Sequence, residues 1–236
     1  MRYVFAALIV TRLLSFPAAA QIDDKVADRL WESTKMLEEM LNAPDGGIPE
    51  DLLQRAECVA VVPGVKRAAF GLGVRYGRGL LTCRRADDSG FWGAPSMLSL
   101  SGGGFGFQFG GQSTDVLIVL TNPDGLRPLL EDQLTIGADV AATAGPKGRA
   151  VGAETSATMR SEILTFARSR GLFAGVSLEG TVLKTDHDAN ESLYGRAVDP
   201  YQVLASSQVE VPQLAERFVS ELNRVAYRPT PPSSED

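Results

Sequence analysis

Between Ser101 and Asp115 the chain reads SGGGFGFQFGGQSTD. Phe105, Phe107 and Phe109 alternate with Gly104, Gly106, Gln108 and Gly110. A period of two predicts a β-strand with one aromatic face and one face of nearly bare backbone. Glycine weakens a strand interior, so a strand that keeps several does so where another backbone or a ligand comes close. Short apolar runs on either side predict further strands. These are Cys58–Pro63, ended by a turn at Pro63-Gly64; Ala68–Tyr76 and Gly79–Arg85, joined at Gly77-Arg78; Met97–Leu100; Val116–Thr121, before the turn at Asn122-Pro123-Asp124-Gly125; and Leu172–Leu183. Met159–Arg168 fits a strand or a helix equally.

Helical periodicity marks both ends of this region. From Asp23 to Asn42, Ile22, Val26, Leu30, Leu37 and Leu41 recur at three- and four-residue multiples, with Trp31 and Met40 widening the stripe. Pro44 to Gly47 ends that helix, and a short one starts at Ile48-Pro49-Glu50. Leu126–Gln133 predicts another helix. Val211–Tyr227 carries Leu214, Phe218, Leu222 and Val225 on one face behind Pro212. The predicted class is α+β: a curved, mainly antiparallel, barrel-like sheet flanked by N- and C-terminal amphipathic helices. The acids Asp23, Asp24, Asp28, Glu32, Glu38 and Glu39 outnumber Lys25, Arg29 and Lys35 on the first helix. Helices that lie on anionic membranes are rich in Lys and Arg, so this one reads as packing on the core.

Residues 1–20 read as a signal peptide. Arg2 precedes a mostly apolar stretch from Tyr3 to Phe16, interrupted by Arg12, and Ala18-Ala19-Ala20 fits a cleavage site. The apolar run is too short to span a membrane. Export to the periplasm or the extracellular space, peripheral to a membrane, is the expected location. Loss of Arg2 and Arg12 takes the net charge from −6 to −8, which argues against general nucleic-acid binding. Residues 228–236, too polar and proline-rich to pack, read as a disordered tail.

Cys58 and Cys83 are the two cysteines. In an exported chain an even count favours a disulfide over two buried thiols. Between Cys58 and Ala86 lie six basic residues and no acid: Lys66, Arg67, Arg75, Arg78, Arg84 and Arg85. They read either as a patch for anionic phosphate headgroups or as solvated strand-end charges paired with Asp87, Asp88 and other acids. Lys147 and Arg149 join the patch if their loop lies alongside. Catalytic patterns are weak. His187 stands in DHD with no nucleophile elbow nearby, and Asp115 and Asp139 are the least implausible carboxylate pair for a hydrolase. The glycines miss the spacing of dinucleotide and P-loop motifs, and no cofactor or metal is expected.

Four blocks carry a family likeness: IPEDLLQRAECVAVVPGVKRAAFGLGVRYGRGLLTCRR, FWGAPSMLSLSGGGFGFQFGGQSTDVLIVLTN, LTIGADVAATAGPKGRA, and FARSRGLFAGVSLEGTVL with LYG at 193–195. In order and spacing they resemble the SYLF domain, a lipid-binding module of bacterial exported proteins and of eukaryotic endocytic and actin-patch proteins. The likeness covers about residues 30 to 200. The expected domain is 21–200, with 201–227 as a C-terminal helical extension like that of bacterial members. The resemblance implies phospholipid binding, with phosphatidylinositol-type lipids as the ligands in eukaryotic members, and no enzymatic activity. The expected contacts are the 66–85 basic patch for the headgroup and the loop at Phe91 and Trp92 for the membrane boundary. An exported chain is not expected to meet actin. The alternative is an interaction protein of the envelope that docks a protein partner on the glycine-rich sheet face.

Overall fold

The computed structural model describes residues 23–228, except 44–47, 71, 88, 106–109, 140–141, 145–162, 170–171, 176 and 207. The expected signal peptide, the tail beyond 228, Phe107, Phe109, Lys147 and Arg149 lie outside the described residues.

The chain is α+β, as its periodicities predict. Helices α1 (Asp24–Leu41) and α2 (Glu50–Arg55) precede strands β1 (Cys58–Phe70), β2 (Leu72–Cys83), β3 (Ser96–Phe105) and β4 (Gly110–Leu120). A 3-10 turn and α3 (Arg127–Leu130) lead to β5 (Gln133–Thr135), β6 (Ala142–Ala144), β7 (Ile163–Ser169), β8 (Leu172–Gly175) and β9 (Thr181–Thr185). Helices α4 (His187–Tyr194), α5 (Pro200–Leu204) and α6 (Glu216–Ala226) follow. The strands form one sheet in the order β5-β9-β3-β2-β1-β4-β7-β6, with β8 also on β7. Every pairing is antiparallel except β6 with β7.

The sheet separates two apolar layers. On one face Val59, Val61, Leu80, Met97, Leu117, Val119 and Phe166 meet α1, α2 and α6. On the other, Ala60, Val62, Leu81, Leu98, Leu100, Ile118 and Leu183 meet α3, α5 and Leu134 of β5. Alternation along each strand assigns the faces. Helix α6 buries Phe218 and Leu222 in the layer that holds Leu30, Leu37 and Met40 of α1. It is therefore built into the core and is not merely appended to it. Trp31, expected in the α1 stripe, is instead 60% exposed, with Lys35 Nζ 5.2 Å from its ring centre. It sits one position past Leu30 and points off the buried arc.

The hairpin differs from expectation in its turn. Gly77-Arg78 does not turn the chain, and Pro63-Gly64 does not end a strand: β1 and β2 run through both sites. The β1 register shifts between Val62 and Val65 relative to β4, and between Val61 and Lys66 relative to β2, which defines a bulge at Pro63-Gly64. Gly64 takes a φ of +56°, and its N–H donates to Asp115 Oδ1 at 2.9 Å. Gly77 lies beneath this bulge, where a Cβ would come within 2.7 Å of Val62 Cγ1. A Cβ on Gly79 would clash with the Val61 carbonyl oxygen. These glycines are demanded by close packing inside a strand, and the closed end of the hairpin lies between Phe70 and Leu72. Likewise Ser101–Asp115 is not one strand: its halves belong to β3 and β4, which flank the hairpin on opposite sides.

Candidate functional site

The long β2 strand pulls the six basic residues apart. Lys66, Arg67, Arg75 and Arg78 gather toward the closed end of the β1–β2 hairpin. Arg84 and Arg85 follow its open end, and nine residues of strand put Arg84 about 30 Å from Arg75.

At the open end the side chains are committed to structure. Cys58 and Cys83 pair in register and form the expected disulfide. Arg84 is buried. Its Nε donates to the Ala56 carbonyl at 3.1 Å, Nη1 to Gly90 at 2.7 Å, and Nη2 to Leu53 at 3.1 Å. Its guanidinium stacks 4.2 Å from the Trp92 ring centre. Burial, then the charge of Arg228, lowers its pKa to about 10. Arg84 therefore ties the end of α2 to the 90–92 loop and is not free for a headgroup. Trp92, expected at a membrane boundary, is 1% exposed, and its indole N–H donates to the Ala226 carbonyl at 3.3 Å. The loop that looked exposed is covered by the end of α6. Phe91 is exposed and packs on the Tyr227 ring at 4.7 Å. Arg85 pairs with Asp87 at 2.7 Å.

The closed end has a different character. Lys66 and Tyr76 face each other across β1 and β2. Arg78, two residues along, lies on the same face and donates from Nε to Tyr76 Oη at 2.6 Å. That bond raises the Arg78 pKa above its usual value. Lys66, Tyr76 and Arg78 line a groove of about 310 Å³ against Lys25, Asp28, Arg29 and Glu32 of α1. Arg29 itself is buried and held by Asp186 at 2.9 Å. Val74, next on this face, is 62% exposed and Tyr76 46% exposed. Phe70, Leu72 and Phe105 occupy adjoining register positions at the strand ends. On the opposite face Arg67 stands directly across from Arg75.

Tyr76 and Val74 did not stand out in the sequence, although GVRYGRG already alternates them with glycine and arginine. The carboxylates weighed for hydrolysis have separate local roles: Asp115 holds the bulge, and Asp139 Oδ2 accepts the Thr135 N–H at 2.6 Å. His187 lies in the first turn of α4, a helix missing from the sequence reading, and its Nε2 meets Asp132 Oδ1 at 2.7 Å. Among the described residues no cluster of His, Cys, Asp and Glu could hold a metal ion, and no helix is long and apolar enough to cross a membrane. Strand β3 is paired on both sides over Leu98–Gly102, and among the described pairings Gly103 and Gly104 bond to β2 alone.

The model of the Ysc84 family, described as "Las17-binding protein actin regulator", matches residues 101–225. Protein YSC84 of Saccharomyces cerevisiae is 32% identical over 214 residues, covering 89% of this chain and 45% of the relative. LAS seventeen-binding protein 3 of the same yeast is 31% identical over 218 residues, 91% of this chain and 47% of the relative. SH3 domain-containing YSC84-like protein 1 of Rattus norvegicus is 33% identical over 193 residues, 81% and 54% respectively. The chain thus spans about half the length of these relatives. On the family match, and on a likeness that runs through nearly all of its strands and helices, the chain belongs to the Ysc84 (SYLF-domain) family.

Proposed function

We propose that this chain is a non-catalytic, exported module that binds anionic phospholipid surfaces with the closed end of its β1–β2 hairpin. The observation that carries the reading is the exposure of Val74 and Tyr76 between Lys66 and Arg78. Apolar and phenolic side chains suit the headgroup boundary, and cations beside them suit the phosphates. Each basic side chain near an anionic membrane contributes about 1 kcal/mol, so Lys66, Arg67, Arg75 and Arg78 together supply about 4 kcal/mol, roughly a thousandfold in affinity. The acids of α1 repel the same surface, which favours an end-on approach. Export is supported by the pattern of residues 1–20 and by the Cys58–Cys83 bond, since disulfides persist in oxidising compartments.

The test is co-sedimentation of residues 21–236 with vesicles of phosphatidylcholine alone, or with added phosphatidylglycerol or phosphatidylinositol. Binding to the anionic vesicles that weakens in high salt is expected. The Lys66→Glu/Arg78→Glu variant, folded by circular dichroism, loses more than about tenfold in affinity. Equal binding to neutral and anionic vesicles, or unchanged binding by the variant, overturns the reading. A protein partner is the second reading, favoured by relatives whose names record one. Failure on every vesicle shifts the weight to it.

A further inference from the structure

The solvent side of α1 carries a seam that core packing does not use. Asp24, Asp28, Trp31, Lys35 and Glu38 recur at alternating spacings of four and three. That spacing lines them up along one side of a helix. The opposite side, with Val26, Leu30, Leu37 and Met40, is buried in the core. At the middle of the seam Trp31 is 60% exposed. It borders a groove of about 420 Å³, floored by Ala27, Leu30 and Thr34, whose far wall carries Leu214 and Arg217. Leu214 is itself 44% exposed. An exposed tryptophan beside a second exposed apolar side chain, at the lip of an apolar groove, marks an interaction surface.

Charge along the seam says what covers it. Asp24 and Asp28 lie on the N-terminal side of Trp31. Lys35 lies on its C-terminal side, where exposed Arg217 adds a second cation and bridges Glu38 at 2.8 Å. Among the described residues the ion pairs of α1 use Arg29, Lys35, Glu38 and Glu39, and not Asp24 or Asp28. Lys35 reaches Glu39 at 4.0 Å, the outer limit of a pair. A seam that is negative at one end and positive at the other complements itself when reversed. Asp28 stands three residues before Trp31 and Lys35 four residues after it. Turned end for end about Trp31, a second copy therefore sets its Lys35 beside Asp28. Asp24 falls beside Glu38 of that copy, a carboxylate already bridged by Arg217.

We infer that the exposed face of α1 binds a second copy of this chain, forming a two-fold dimer with antiparallel α1 helices. Trp31 packs on Trp31 at the axis, the two Leu214 side chains flank them, and Asp28 pairs with Lys35 once on each side. One helix and two apolar side chains from each copy cover less than the roughly 800 Å² per partner of a standard interface. The association therefore falls in the micromolar range. It goes beyond the membrane reading and is measured without lipid.

The test is sedimentation equilibrium of residues 21–236 from about 10 to about 500 µM. The average mass is expected to climb from monomer to dimer over that range. Trp92 is 1% exposed, so a blue shift of tryptophan emission with concentration reports the covering of Trp31. Trp31→Ala stays monomeric throughout. Lys35→Glu and Asp28→Lys each set like charges at both contacts, and each weakens self-association about tenfold or more. Mixed in equal amounts, these two variants regain opposite charges at both contacts and associate about as tightly as wild type. That recovery also shows that each variant is folded. A wild-type chain that stays monomeric, or one whose mass passes the dimer, overturns the inference. So does a dimer that Trp31→Ala or both charge variants retain, or a mixture that fails to recover. Lys66→Glu/Arg78→Glu still dimerises, so failure of the membrane reading is read separately.

Discussion

Replacing Arg84 with methionine tests whether the open end of the hairpin is structural. Methionine keeps much of the length and apolar volume but removes every donor and the charge. Three bonds of 3.1 Å or less to carbonyls are lost, along with the stack on Trp92. Bonds from charged donors contribute roughly 1.5–3 kcal/mol each. Here the figure is reduced, because Ala56 N also donates to the Leu53 carbonyl, and Arg228 also donates to the Ala56 and Gly90 carbonyls. About 1 kcal/mol per bond and about 1 kcal/mol for the stack sum to about 4 kcal/mol. Relief of the desolvation that lowers the Arg84 pKa offsets part of this, leaving about 3 kcal/mol. For a chain of this length that corresponds to a Tm lower by about 6–12 °C. Urea denaturation of Arg84→Met and Arg85→Met side by side reads the difference; the surface pair of Arg85 with Asp87 predicts a change within about 0.5 kcal/mol. If Arg84→Met is as stable as Arg85→Met yet loses vesicle binding, Arg84 is a ligand contact and the strut argument is wrong.

Two more outcomes follow from backbone and burial. Gly79→Ala destabilises by more than about 2 kcal/mol, because the obstacle is the Val61 carbonyl and not a movable side chain, whereas Gly103→Ala, whose Cβ would meet nothing closer than 4.0 Å, stays within about 0.5 kcal/mol. Equal urea midpoints for the two would remove the packing explanation of the β2 glycines. Tyr194 donates to the Pro95 carbonyl at 2.6 Å, and burial raises its pKa above the ordinary phenol value of 10. A raised acid pKa means the native state holds its proton where the unfolded chain releases it, so stability is full below pH 10 and falls as pH rises beyond. Tyr194→Phe is expected to be less stable by about 1 kcal/mol at neutral pH but to decline less steeply above pH 10, measured by urea titration; parallel pH profiles contradict this.

Much of this fold is legible in local pattern. The α1 stripe and the continuous apolar run of β4 form where they predict, while α6 begins at Glu216, after a 3-10 turn at Gln213–Ala215 that leaves Leu214 of the expected stripe exposed. The hairpin turn was misplaced because glycine signals two things, a bend or a close approach. Gly77 and Gly79 are close approaches to a bulge, a feature fixed only by the register with β1 and β4. Helix α4 escaped notice because its eight residues are mostly polar and begin with an Asp cap in an apparent turn. At the site, charge clustering was visible in sequence, but strand length and alternation decide which charges meet. Arg84 looks like its neighbours in sequence and becomes a strut only because the end of α6 lies over Trp92.

The packing of α1 on α6 also dictates when the domain can mature. Leu37 and Met40 are made early in synthesis, yet the Phe218 and Leu222 side chains that cover them come some 180 residues later. Until then α1 and the sheet face beneath it expose an uncovered apolar layer, the kind of surface that chaperones hold. Final closure thus joins distant parts of the chain and waits for residues 218–222. On the export proposed above, late closure keeps the polypeptide in a state that can still pass a membrane.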